Sequence, residues 1–160
     1  MLFRSVEENR RALQLGDISE VTRARHLAWL AYNLVIHDQR GERRAAADEA
    51  AAAAASTGDL ESKIVADVAL ALLDGGEGYA GRSVRRLEEL CVLARTSDAT
   101  AAYDFAAMHH ALLLVVVGWL DDAAARVADG TQQARREGNA MALDIWVTMD
   151  GIVQIGRAHV

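Results

Sequence analysis

Arg25, Trp29 and Asn33 stand four positions apart. On a helix that spacing places side chains at successive turns along one stripe. An Arg guanidinium grips a carboxylate in bidentate fashion, an indole offers a flat apolar platform, and an Asn amide pairs with a peptide bond. Such a stripe suits an extended peptide or a small acidic ligand. Proton-transfer chemistry needs a titratable base, which the stripe lacks. Lys63 and Asp67, also four apart, extend the same kind of stripe on a later helix.

His109 and His110 are the next candidates. Adjacent side chains point about 100° apart on a helix, so the pair does not share a metal ion unaided. No Cys and no well-placed Glu joins them locally. Packed or partly solvated histidines are therefore expected. The competing function, an all-α enzyme or small-molecule-binding domain, uses His109 or His110 with Asp104. His26 and His37 are eleven positions apart, too distant for one ion. Cys91 falls on the side of Val84, Leu87 and Ala94, which reads as a buried core thiol. No catalytic, cofactor-binding or metal constellation emerges, so the expectation is a protein that binds rather than an enzyme, with no cofactor.

The elements that carry these residues are helical. The 160 residues include no Pro, and Ala is the most frequent type. Ala is the best helix former and Pro the worst. The formal charge is −6 and Lys63 is the only lysine. Phosphate binding needs a basic face, so direct nucleic-acid contact is not expected. The most apolar run, "ALLLVVVGWL", is far shorter than the roughly twenty residues of a membrane span. It reads as a buried helix, and no membrane partner is expected. Arg, Ala and Gly usage suggests a GC-rich, bacterial genome and a cytoplasmic protein.

Four punctuation marks recur: "LGD" at 15–17, "TGD" at 57–59, "TSD" at 96–98 and "EGN" at 137–139. A helix stop followed by Asp or Asn as the next start fits each. A period of about forty residues is the signature of a helical repeat array. Inside each period lies a second break, at Gly41, at "DGGEGYAG" and at Gly118. The pattern predicts helices over 6–15, 19–38, 42–56, 60–74, 80–95, 99–117, 119–137 and 140–153. The second helices share a register: Ala46, Ala50 and Ala53; Ser83, Leu87 and Leu90; Ala123, Val127 and Gly130. Small residues on that face let neighbouring helices approach closely.

This register resembles tetratricopeptide-type repeats, in which a turn Gly is followed by small, large and small positions. The resemblance implies an all-α fold of antiparallel helix hairpins, about eight helices, stacked as a right-handed superhelix. The hairpins are expected over 19–58, 59–97 and 98–138, with a half unit at each end. The motif's terminal Pro is missing throughout. In such arrays the first helix of each hairpin lines a concave surface, which would place Arg25, Trp29, Asn33, Lys63 and Asp67 there. The longer period resembles the helical repeats of large bacterial regulators with an ATP-binding module and a LuxR-type DNA-binding domain. The implied role is a scaffold that holds a protein or peptide, or a small inducer.

Both termini resemble translated sequencing adapter. As codons, 154–160 match one strand of a common short-read adapter up to its stop, and 1–5 match the opposite strand with GTG as the start. That implies a natural segment of 6–153 within a longer reading frame, with 1–5 and 154–160 as artefact. A truncated array is expected to expose Met141, Leu143, Ile145, Trp146, Val147 and Ile152 of its last helix and to self-associate there.

Overall fold

A computed structural model describes residues 2–37, 41–97 and 99–159. Among them the chain forms eight helices and no strand: α1 Leu2–Gln14, α2 Glu20–Ile36, α3 Arg43–Thr57, α4 Leu60–Gly76, α5 Ala80–Thr96, α6 Thr100–Val116, α7 Leu120–Glu137 and α8 Ala140–Ala158. The chain divides into two compact units, 1–79 and 80–160. The division falls inside the segment expected as the middle hairpin, 59–97, so α4 closes the first unit and α5 opens the second. In the first unit α2 packs on α1, α3 and α4, and α3 packs on α4. In the second, α6 packs on α5, α7 and α8, and α7 packs on α8. Each unit thus repeats one scheme, the nearest-neighbour packing of an all-α helical-repeat fold.

Local chemistry explains most of the boundaries. Gly58 and Gly138 end α3 and α7 in the left-handed region, both at φ 65°. Glycine takes that conformation without a Cβ clash. The next residue then caps a new helix. Asp59 accepts the Ser62 amide at 3.0 Å, and Asn139 accepts the Ala142 amide at 3.1 Å. The "TGD" and "EGN" marks are thus stop–start pairs. The first mark behaves differently: the cap of α2 is Ser19, which accepts the Thr22 amide at 3.1 Å, and not Asp17. In the third, Asp98 lies outside the described residues, as do 38–40 beside Gly41.

Six of the eight helices match their expected ranges within two residues. The outermost two are longer, since α1 begins at Leu2 and α8 runs to Ala158. Nothing in 154–158 breaks a helix, and the segment has neighbours. Gly156 faces Leu120, whose Cδ2 would lie 3.1 Å from an added Cβ. Arg157 donates to Asp121 Oδ1 at 2.6 Å.

The core register holds on α5 and α7. Ser83, Leu87, Leu90, Ala123, Val127 and Gly130 are all buried. On α3 it is shifted: Ala47, Ala50 and Ala54 are buried, whereas Ala46 and Ala53 are half-buried. A run of alanines carries no size contrast to fix its rotation. The polar end of the helix is anchored instead, by Arg44 donating to Asp74 at 3.2 Å and Glu77 at 2.7 Å on and beside α4.

Trp146 also departs from expectation. It is one of the largest fully buried side chains, at 1% exposure, while Met141, Ile145 and Val147 of the same helix are exposed. Its indole lies over Gly130 of α7, and a Cβ built there would come within 2.2 Å of Cε2. The small residue makes the seat for the large one.

The register predicts an asymmetry between near neighbours. Ala123 is fully buried and Ala125 is exposed. Ala123→Leu is expected to overpack the second unit and destabilise it by about 1–3 kcal/mol. Ala125→Leu is expected to change stability by less than about 0.5 kcal/mol. Denaturant midpoints of the two variants check this, and equal midpoints contradict the register.

Candidate functional site

The five stripe residues lie on α2 and α4, which pack together, but their polar groups are largely engaged within the protein. Arg25 donates to Asp59 from Nε at 3.1 Å and from a terminal nitrogen at 2.8 Å, and meets Glu61 at 3.3 Å. Asp59 is also the cap of α4 and accepts from both the Ser62 amide and hydroxyl. The Arg25 bond, joined by Ser62, outweighs burial and holds the Asp59 carboxyl well below the usual carboxylate range. Arg25 is thus a clamp from α2 to the start of α4.

Asn33 is buried, and its amide donates to the Trp29 carbonyl of its own helix at 2.7 Å. It does not project beside Arg25. Trp29 is half-buried and meets Tyr32 edge-on, with ring centroids 5.7 Å apart. Burial pushes the Tyr32 phenol up to about 12. Lys63 pairs with Asp67 one turn away at 2.7 Å. A cleft of about 330 Å³ in this unit lies between α2 and α3, along Arg23, Leu27, Glu49 and Thr57, and touches none of the five.

Two clefts of the second unit lie on different sides of α6. One, of about 210 Å³, opens between α6 and α8. Phe105, Met108, Met141, Ile145 and Trp146 make it mostly apolar, and Asp104 is its acidic group. Burial pushes the Asp104 carboxyl up, while the neighbouring Trp146 indole pulls it down and Glu137 adds to the rise.

The other cleft, of about 420 Å³, lies among α5, α6 and α7, with His110 and Leu114 from α6. His110 is 4% exposed, and neither ring nitrogen has a hydrogen-bond partner. Burial, aided by Arg126 and opposed by Asp122, lowers its pKa to about 4, so the ring is neutral. His109 instead places Nδ1 2.7 Å from the Phe105 carbonyl, with its ring tilted on Phe105 at 4.6 Å. It is a packed histidine.

Asp104 and His110 therefore belong to different clefts, and His109 is turned to the carbonyl of Phe105. Cys91 is buried as expected, and burial pushes its thiol up to about 11, which suppresses the reactive thiolate. Among the described residues no group of three or more His, Cys, Asp or Glu is placed to hold a metal ion.

No protein-family model, no curated protein and no solved structure matches the chain. The site rests on its own geometry.

One element of that geometry was missed in the sequence. Arg95 of α5 and Tyr103 of α6 both donate to Asp129 of α7, at 2.6 and 2.8 Å, and the guanidinium lies 4.7 Å over the Tyr103 ring. The separation of Arg95 from Asp129 is 34 residues, the same as Arg25 from Asp59. The first pair links α2 to the cap of α4, and the second links α5 to α7. An Arg and an Asp about one repeat apart was the available signal.

Asp59 supports a pH prediction. Its folded pKa is depressed, so its contribution is complete above the unfolded value near about 4 and is lost as pH falls below it. Asp59→Ala removes the cap and is expected to cost about 1 kcal/mol at neutral pH. Asp59→Asn keeps a capping side chain but loses the charge. Its deficit against the natural chain should be constant from neutral pH to about 4 and shrink on further acidification. Thermal unfolding across that range checks it, and a deficit that does not vary with pH contradicts the clamp.

Proposed function

We propose that the chain is a binding module, a tetratricopeptide-like segment of a larger, cytoplasmic bacterial regulator of the LuxR type. It holds an extended peptide of a protein partner, on the face that the first helices of successive hairpins share, and catalyses no reaction. The observation that carries this reading is the α6–α8 cleft. Met141 and Ile145 stand exposed at it, Phe105 and Met108 line it, and a single carboxyl group is set among apolar walls. That combination accepts an apolar side chain while Asp104 takes a backbone or side-chain donor. Methionines adapt to varied partners.

Two further points support the reading. The groups suited to proton transfer, Asp104 and His110, do not share a cleft. The acidic balance of −6 disfavours direct nucleic-acid contact. Among the described residues no helix is long and apolar enough to cross a membrane. Exposed Val147 and Ile155 on α8 also support self-association along that helix.

The test is selection of peptides from a random display library by the intact chain, followed by titration of the selected peptides. Met141→Glu with Ile145→Glu changes exposed positions only. We expect that variant to bind about tenfold more weakly or worse, with unchanged melting. If Trp29→Ala abolishes binding and the α8 variant does not, the α2–α4 stripe of Arg25, Trp29, Asn33, Lys63 and Asp67 is the binding face instead. If neither change matters, the reading fails.

A further inference from the structure

The cleft among α5, α6 and α7 contains a polar group that the fold leaves unsatisfied. His110 is buried at 4% exposure, and both ring nitrogens lack a partner. Buried polar atoms are nearly always hydrogen-bonded, so an unpaired imidazole lining a cleft marks a place for a ligand atom. The volume, about 420 Å³, falls within the roughly 300–1,000 Å³ typical of small-molecule sites.

The charges in the cleft divide into two groups. Asp129 is occupied by Arg95, Tyr103 and, at 4.0 Å, Arg126. Two guanidiniums thus meet one carboxylate at that end, and Asp129 is fully engaged within the protein. Glu88 of α5 and Asp122 of α7 are exposed, and neither makes an ion pair among the described residues. Asp122 also complements the start of α7, as first-turn acids do, but Glu88 stands at the middle of α5, where no such role applies. Trp119, half-exposed, adds an indole face to the same cleft. Val84 and Leu114 supply apolar wall.

We propose that this cleft binds a small amino alcohol, with its ammonium held by Glu88 and Asp122 and its hydroxyl hydrogen-bonded to His110. The carboxylates and the indole face favour a cation. The neutral imidazole favours a group that both donates and accepts, which a hydroxyl does and an ammonium does not. The apolar walls accommodate the carbon chain between the two polar ends. The site is separate from the α6–α8 cleft and does not depend on peptide binding there.

The experiment is calorimetric titration of the intact chain with a series from 3-aminopropan-1-ol to 6-aminohexan-1-ol. At least one member should bind saturably, with a dissociation constant on the order of 1 mM or tighter. The alkylamine of equal length, without the hydroxyl, and the ω-hydroxy acid, with the opposite charge, should each bind about tenfold more weakly or worse. Glu88→Gln with Asp122→Asn should weaken binding about tenfold while the chain stays folded, with melting lowered by no more than the loss of one first-turn charge on α7. The His110 ring nitrogen resonances should move on saturation. Met141→Glu with Ile145→Glu should leave the titration unchanged, which separates this site from the peptide face. The proposal is overturned if no member binds, if the hydroxy acid binds equally well, if the double amide variant binds unchanged, or if binding leaves the His110 resonances in place.

Discussion

Close approach between helices is the constraint on which both units depend. The interior is built largely from alanine: Ala24, Ala28 and Ala31 on α2, Ala66, Ala69 and Ala71 on α4, and Ala106, Ala107 and Ala111 on α6 are buried completely. Each removes little apolar surface from water, so stability must come from many short contacts rather than a few large side chains. Gly130 shows the limit of this design. In a helix interior it costs about 1 kcal/mol relative to Ala. The space it leaves is filled by the Trp146 indole, whose burial outweighs that loss.

The same constraint creates the clefts. Where alanines draw α6 against its neighbours, larger residues at the margins leave space between the helices. His110 and Leu114 line one such space and Phe105 and Met108 the other. A single helix therefore serves two clefts of different chemistry, one polar and one apolar. The Arg25–Asp59 pair links α2 to the cap of α4, and the Arg95–Asp129 pair links α5 to α7. Exposed ion pairs such as Arg95–Asp129 contribute little energy, so their effect is to fix which helix ends meet within a unit.

Helices, two of the stop–start caps and most of the core register were legible because each depends on local chemistry. Gly58 before Asp59 and Gly138 before Asn139 announce a stop and a start within two residues. The α3 register was not legible, because alanines repeated without contrast leave the rotation of the helix to its ion pairs. The three residues of the α2 stripe do not share one exposed face, for a geometric reason. A spacing of four overshoots one turn by about 40°, so a third residue has turned by about 80°. Arg25 is exposed, Trp29 half-buried and Asn33 buried, in that order. Asp104 and His110, six positions apart, diverge for the same reason. The α5–α6–α7 and α6–α8 clefts have no linear signature, because residues from two or three helices meet there only after packing.

The central claim is that small residues let second-unit helices close tightly enough to shape the two clefts, and Gly130 under Trp146 is its sharpest instance. Proton NMR of the intact chain tests it directly. A Gly130 Hα held against the face of the indole is shifted strongly upfield by the ring current and shows nuclear Overhauser contacts to the Trp146 ring protons. The account predicts both. A Gly130 Hα at the ordinary position for a helical glycine, with no contact to the indole, would contradict it.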